Sequence, residues 1–333
     1  MEANHTVETT VSLSAVQYRL NVIYVIIGSI GLVGNMFVCF VFCRVRRLRS
    51  ITHLFIMNQS VIDMCSSLVF LALKFRPLRI SAKGLAAELY CKFWHSEYLM
   101  WSLFLTSTSN MCAVTLERYF AICHPVFHRN HFSKTKAKIT IVIGWVWGLP
   151  VELLWGLPFY HTPDGCAIKY IGFYYNVVFG IGIFSIAWLI PLILMAFCYV
   201  KILLKLRNSN VQPTDGNPDD NKNFTLRRTQ KNVVKILLIV SITYAICWGP
   251  NEVALLHFNL GGYLDFTSDF YLFSVALVFC NMCVNPFIYA FQYKEFRKNI
   301  PVAFGCQWKT PTDTDLDGGL ETSVTGAEGR QSV

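Results

Sequence analysis

An aspartate, Asp63, stands in the middle of a long apolar stretch, and Asn35, Ser107, Asn281 and Asn285 sit at comparable depth in three others. An ionisable group at such depth is costly unless it faces a protein interior, so it marks a functional position by default. Asn281 and Asn285 are four residues apart and share a helix face. Turned inward, these groups form a pocket for water or a small cation beside Asp63; the alternative is a set of hydrogen bonds that hold helices together. Glu97, Glu152 and Glu252 lie nearer the outer ends of their stretches, and Lys74, Arg76, Arg79 and Lys83 gather at the end of the second. Pro191, Pro250 and Pro286 interrupt three stretches. Each removes a backbone hydrogen bond and tends to kink its helix, which gives one end a place to swing. No nucleophile stands with a base and no metal ligands cluster, so the sequence gives enzymatic chemistry no support.

The elements that must position these groups follow from composition. Of 333 residues, 54% are hydrophobic and only 15% charged, with a mean hydropathy of +0.43; soluble domains carry about 25% charged residues. Seven apolar stretches run roughly 21–43, 53–75, 93–122, 137–158, 172–205, 232–257 and 266–291. Each is long enough to cross about 30 Å of hydrocarbon as a helix, the form that satisfies its own backbone in lipid. The expected fold is all-α: a seven-transmembrane bundle over 21–291, after an extracellular N-terminus over 1–20. With the N-terminus outside, 22 of the 29 Lys and Arg fall on the cytoplasmic side, as the positive-inside rule requires. The net charge of +9 thus belongs to a surface facing anionic lipid and protein partners, with no nucleic-acid footprint. The polar, acidic N-terminus offers no cleavable signal, so the first helix is expected to act as an uncleaved anchor. Asn4-His5-Thr6 is a glycosylation sequon on the outer side; the sequons at Asn58 and Asn223 fall in a span and in the cytoplasm and are not expected to be used.

Two of the 12 cysteines, Cys91 and Cys166, lie on the oxidising face. A disulfide between them would tie the second outer loop to the top of the third helix; the alternative is two unpaired thiols. Pro163-Asp164-Gly165 has turn chemistry, which predicts a short hairpin there. The third cytoplasmic loop over 208–223 is too polar to order itself. Tyr293, Phe296 and Ile300 recur at helical spacing opposite Lys294, Arg297 and Lys298, which predicts a membrane-surface helix within 292–305, ended by Pro301. Cys306 is a palmitoylation candidate or a free thiol. Residues 306–333, with Thr310, Thr312 and Thr314 among aspartates, form a disordered tail with phosphorylation sites.

One motif per span resembles the class A (rhodopsin-like) G-protein-coupled receptors. Gly34-Asn35, Asn58 with Asp63, Glu117-Arg118-Tyr119 followed by His124-Pro125, Pro191 with Tyr199, Cys247-Trp248-Gly249-Pro250, and Asn285-Pro286-Phe287-Ile288-Tyr289 carry the likeness, with Phe296 in the following short helix. Trp145 marks the fourth helix, with Trp147 as its competitor. The resemblance implies that Glu117 holds Arg118 at rest and that activation frees Arg118 to meet a heterotrimeric G protein. It implies that Tyr199 and Tyr289 swing in to support the active arrangement. Trp248 would sense ligand, the sixth helix would pivot outward near Pro250, and Val126 would enter the G protein. It makes Asp63, Ser107, Asn281 and Asn285 a site for an allosteric sodium ion, with no cofactor required. Arrestin and receptor kinases would meet the tail, and the receptor would sit in the plasma membrane. Two departures stand out. Cys91 and Arg118 are about two residues further apart than usual, so a bulge is expected at the top of the third helix; and Tyr244 replaces a phenylalanine one turn below Trp248, a change expected to be tolerated.

Opsins need a seventh-helix lysine for retinal, and 266–291 has none; aminergic receptors need an aspartate where Met100 stands. The expected ligand is a neuropeptide or peptide hormone, with a basic group on Glu252 and acidic or carbonyl groups near Lys74 and Arg76. Glu97, Met100, Trp101, His257 and Tyr271 complete the expected pocket. The competing reading has the charges neutralise one another, Glu252 with His257 and Glu97 with Lys74. A small-molecule or lipid receptor, with Phe184 and Phe279 also in an apolar pocket, is the alternative ligand class; high basal activity is another possibility. A transporter would show inverted repeats, and the sequence has none.

Overall fold

The computed structural model describes residues 2–45, 48, 50–75, 83–169, 171–208 and 218–305, without the side chains of 2–20, 208 and 218–228. Helix α1 (Glu2–Arg44) opens the chain, its apolar part being Asn21–Arg44. Helix α2 (Ile51–Lys74) follows; Ser50 caps it by accepting from the His53 backbone N–H while the His53 ring faces back to the cap. A short α3 (Leu85–Leu89) runs into a π-helical turn (Tyr90–His95), and α4 (Tyr98–Cys123) then crosses the bundle. Helix α5 (Pro125–His131) and α6 (Lys134–Gly156) lead to a hairpin of β1 (Phe159–Thr162) and β2 (Gly165–Ile168). Helix α7 (Phe173–Ile183), a second π-helical turn (Phe184–Leu189) and α8 (Ile190–Asn208) make one continuous rod. Helices α9 (Pro218–Asn259), α10 (Asp269–Gln292) and α11 (Lys294–Ala303) complete the chain.

Six of these rods are long and apolar enough to cross a membrane. The seventh, α4, falls short in apolarity because of where it sits. It packs against α2, α6, α8 and α9, so it meets protein on several sides and can carry Ser102, Thr106, Ser107, Asn110, Thr115 and Glu117 buried. The peripheral rods show the inverse pattern. Val22, Ile26, Ile30, Val33 and Phe40 form an exposed stripe on α1, and Ile139, Val142, Val146, Leu149 and Leu153 form one on α6. Apolar side chains outside and polar ones inside is the arrangement expected when the solvent is lipid.

The structure corrects several expectations. The third apolar stretch is not one helix over 93–122: it breaks at Glu97, whose φ of 59° is left-handed, between the π turn and α4. This is the bulge that the long Cys91–Arg118 spacing required. The polar loop expected over 208–223 is helical from Pro218 onward, with proline at the helix start, where its missing N–H costs nothing. Pro301 lies inside α11 and does not end it; the helix continues to Ala303. The hairpin forms where expected, with Thr162 opposite Gly165 and His161 opposite Cys166. The Cys91–Cys166 disulfide is present, with Cα atoms 5.5 Å apart. It ties β2 to the π turn above α4. Helix α11 docks through Phe296, which is buried against Phe37 and Phe42. Arg76, Arg79, Cys306 and the tail fall outside the described residues.

Candidate functional site

Three sites line up along the bundle. In its middle, Asp63 on α2 accepts from Gln59 Nε2 at 3.0 Å and from Asn285 Nδ2 of α10 at 2.7 Å. Gln59 Nε2 also reaches Ser107 Oγ on α4 at 2.5 Å, and Gln59 Oε1 accepts from Asn110 Nδ2 at 2.9 Å. Asn58 then bonds Asn110 at 2.8 Å and receives the Trp145 indole N–H at 3.1 Å, while Trp147 faces outward. Asn35 fastens α1 to α10 through the Met282 carbonyl at 2.8 Å. Asp63, Gln59, Ser107, Asn110, Asn58, Asn35 and Asn285 are all buried, so each bond among them forms in a medium where leaving it unmade is expensive. The expected set is thus half assembled directly. Asp63 meets Asn285, Ser107 joins through Gln59, and Asn281 is buried nearby in α10 without a direct bond to Asp63. The donors are hard oxygens suited to a small cation, and Asp63 has no cationic partner among the described residues. Gln59, however, offers N–H groups to the same oxygens that a cation would use. Its position four residues before Asp63 on one helix was the readable signal.

At the cytoplasmic end, Glu117 is fully buried and takes a two-pronged bond from Arg118, Nε at 2.6 Å and the terminal nitrogen at 2.5 Å. Thr52 donates to it at 2.9 Å, and His128 of α5 lies 3.0 Å away. Thr52 and His128 carry no sequence periodicity that would have found them. Tyr199 is buried and meets Thr115 at 3.1 Å and Ser241 at 3.5 Å; Tyr289 is buried in α10. The Tyr119 hydroxyl faces His124 at 3.2 Å, and Val126 is exposed.

In the outer half, a cavity of about 90 Å³ is lined by Trp101, Glu152, Trp155, Phe179, Trp248 and Glu252 among others. Its floor is an aromatic stack. Trp248 meets Phe104 edge-on at 5.1 Å and Trp101 at 6.5 Å. Below it, the Tyr244 hydroxyl donates to the Ala187 carbonyl. That is the carbonyl four residues before Pro191, the one a proline cannot bond.

A family model described as 7 transmembrane receptor (rhodopsin family) matches residues 34–289. The chain belongs to this family. The match puts all three sites inside one receptor and makes the chain a multi-pass membrane receptor, not an enzyme. Melanopsin-A of Danio rerio is 29% identical over 314 residues, covering 87% of this chain and 50% of that protein; the receptor thus spans about half the length of this curated relative.

The expected ligand residues divide. Trp101 and Glu252 line the cavity; Met100 is buried in the core and Tyr271 packs on Phe266. Lys74 is on the other side of the bundle, its ammonium 4.4 Å from the Tyr24 ring centre and 5.1 Å from that of Phe70. The proposed neutralisation of Glu252 by His257 does not occur. The His257 ring lies over Gly262, so close that a Cβ there would be 2.2 Å from Nε2. Glu97 forms the left-handed break above α4. Sequence reasoning missed Trp155 and left Glu152 out of the pocket. Asn4 lies in α1 with its side chain undescribed.

Proposed function

We propose that this receptor detects an extracellular ligand in the outer cavity and activates a heterotrimeric G protein by outward movement of α9. The observation that carries the reading is the buried Glu117–Arg118 pair, which lies at the cytoplasmic end of the same helix that presents Trp101 to the cavity. Ligand bias reaches α9 through Trp248, and Pro250 supplies the pivot between Trp248 and Glu252. A ligand that binds the open form better shifts the population toward it, and Arg118 is then free to meet the G protein. The plasma membrane with the N-terminus outside is the matching location, supported by the Lys and Arg distribution. Arrestin and receptor kinases would act on the tail, and sodium beside Asp63 would favour the closed form.

The ligand is read as a peptide that lodges one basic side chain at Glu252. A free small molecule is the second reading, favoured by the cavity's size: about 90 Å³, where one water needs roughly 10–15 Å³ on the same measure. Retinal bound as a Schiff base is incompatible with this chain, because α10 contains no lysine. The test is guanine-nucleotide exchange on G protein in membranes carrying the receptor, against Arg118→Ala. Exchange that depends on Arg118 supports the reading; exchange indifferent to Arg118 overturns it.

A further inference from the structure

Among the four carboxylates buried deepest in the bundle, two have partners and two do not. Asp63 holds two amides, and Glu117 holds Arg118, Thr52 and His128. Glu152 and Glu252 are 7% and 4% exposed, and no hydrogen bond or ion pair joins either to a described residue. They come from different helices, α6 and α9, yet line one cavity. A third unpartnered group lines it too: the indole N–H of Trp248 is buried without an acceptor. Two carboxylates buried this deeply without countercharge are costly and call for a cationic partner. Neither Lys74 nor His257 supplies it. Lys74 is caged by Tyr24, Phe70 and Phe279, and His257 lies over Gly262.

We propose that Glu152 and Glu252 together bind one compact organic cation, a guanidinium or a short diamine, whose N–H groups bridge the two carboxylates. This rests on the receptor reading above and names the ligand chemistry of its cavity. A guanidinium has five donors in a fixed fork and can face two carboxylates at once. The rest of the lining fits an organic cation better than a metal ion. Trp101, Trp155, Trp248 and Phe179 offer aromatic faces. A calcium ion would need six or more oxygens, and beyond the carboxylates the side chains offer only Asn259, whose amide is turned to the Leu255 carbonyl. Because Glu252 rides on α9 two residues past Pro250, a cation bridging to Glu152 on α6 would couple the helix that moves to one that does not.

The test uses the purified full-length receptor in lipid nanodiscs without G protein, with thermal stability as the readout. Two probes separate the sources of the cation: agmatine as a free small molecule, and a short peptide carrying one arginine beside its citrulline counterpart. The expected result is a dose-dependent rise in Tm with agmatine or with the arginine peptide, absent with the citrulline peptide. Glu152→Gln and Glu252→Gln should each weaken the apparent affinity at least tenfold, and the double variant should abolish the shift. Glu252→Lys, which places a cation beside Glu152, should raise the ligand-free Tm and remove the response; this variant keeps the test informative if the glutamine variants fold poorly. A shift of equal size in wild type and the double variant, or no shift in wild type with any probe, overturns the proposal. Arg118-dependent basal exchange, measured separately, would still stand in that case, so the cation can fail without the receptor reading failing.

Discussion

Replacing Glu117 by glutamine keeps the shape of the side chain and removes the charge that Arg118 grips. Glu117 receives two bonds from Arg118 at 2.5 and 2.6 Å and one from Thr52 at 2.9 Å. Hydrogen bonds to a charged group contribute about 1.5–3 kcal/mol each, and breaking a buried pair costs about 3–5 kcal/mol. Arg118 is 16% exposed at its side chain and can turn to water, and glutamine can still accept one bond. A net loss of about 2 kcal/mol from the closed form follows from these two offsets. At 1.4 kcal/mol per decade, that shifts the open-to-closed ratio about 30-fold. The assay is basal nucleotide exchange per receptor at the cell surface, with no ligand added. A rise of tenfold or more is expected. A change of less than twofold, with surface density intact, would refute the claim that this pair holds the mouth shut.

Three further outcomes follow from single contacts. Tyr244→Phe removes the bond to the Ala187 carbonyl, about 1 kcal/mol between α9 and the π turn; basal exchange should rise about fivefold and Tm should fall, and an unchanged pair of values would show the bond to be idle. With Gln59 bridging Asp63 and Ser107, sodium should stabilise the wild type only weakly. Gln59→Leu should make Tm rise more steeply with NaCl than with KCl, and Asp63→Asn in that background should remove the difference; a Gln59→Leu variant that does not distinguish the two salts contradicts the bridge. Gly148→Ala places a Cβ 2.4 Å from the Ser102 carbonyl oxygen, which forces α6 off α4; overpacking of about 1–3 kcal/mol should cut surface expression, and normal expression and Tm would contradict it.

Most of the frame was readable because lipid imposes a simple demand, about 20 apolar residues per crossing, and the chain meets it repeatedly. Helix α4, too polar to count as a lipid-facing span, packs against α2, α6, α8 and α9, so its polarity reports position in the bundle and not exposure. Spacing also announced the bulge above α4, though the π turn and the left-handed Glu97 that produce it are tertiary detail. Gln59 was within reach, one helical turn from Asp63. His128 was not, since it comes to Glu117 through the fold of α5. The supposed Glu252–His257 pair fails on elementary geometry: five residues turn a helix by about 140°, so the two cannot share a face. That Glu152 and Glu252 meet in one cavity depends on how α6 and α9 are rotated in the bundle, which no local pattern encodes.

The central claim is that the cytoplasmic mouth opens by movement of α9 away from α4. Spin labels on Val126→Cys and Lys235→Cys, both exposed near that mouth, in a background lacking other reactive thiols, report the distance directly in nanodiscs. The label separation should be longer and broader in Glu117→Gln than in the parent, and longer again when G protein binds. Identical distance distributions in a variant whose nucleotide exchange has risen would contradict the account.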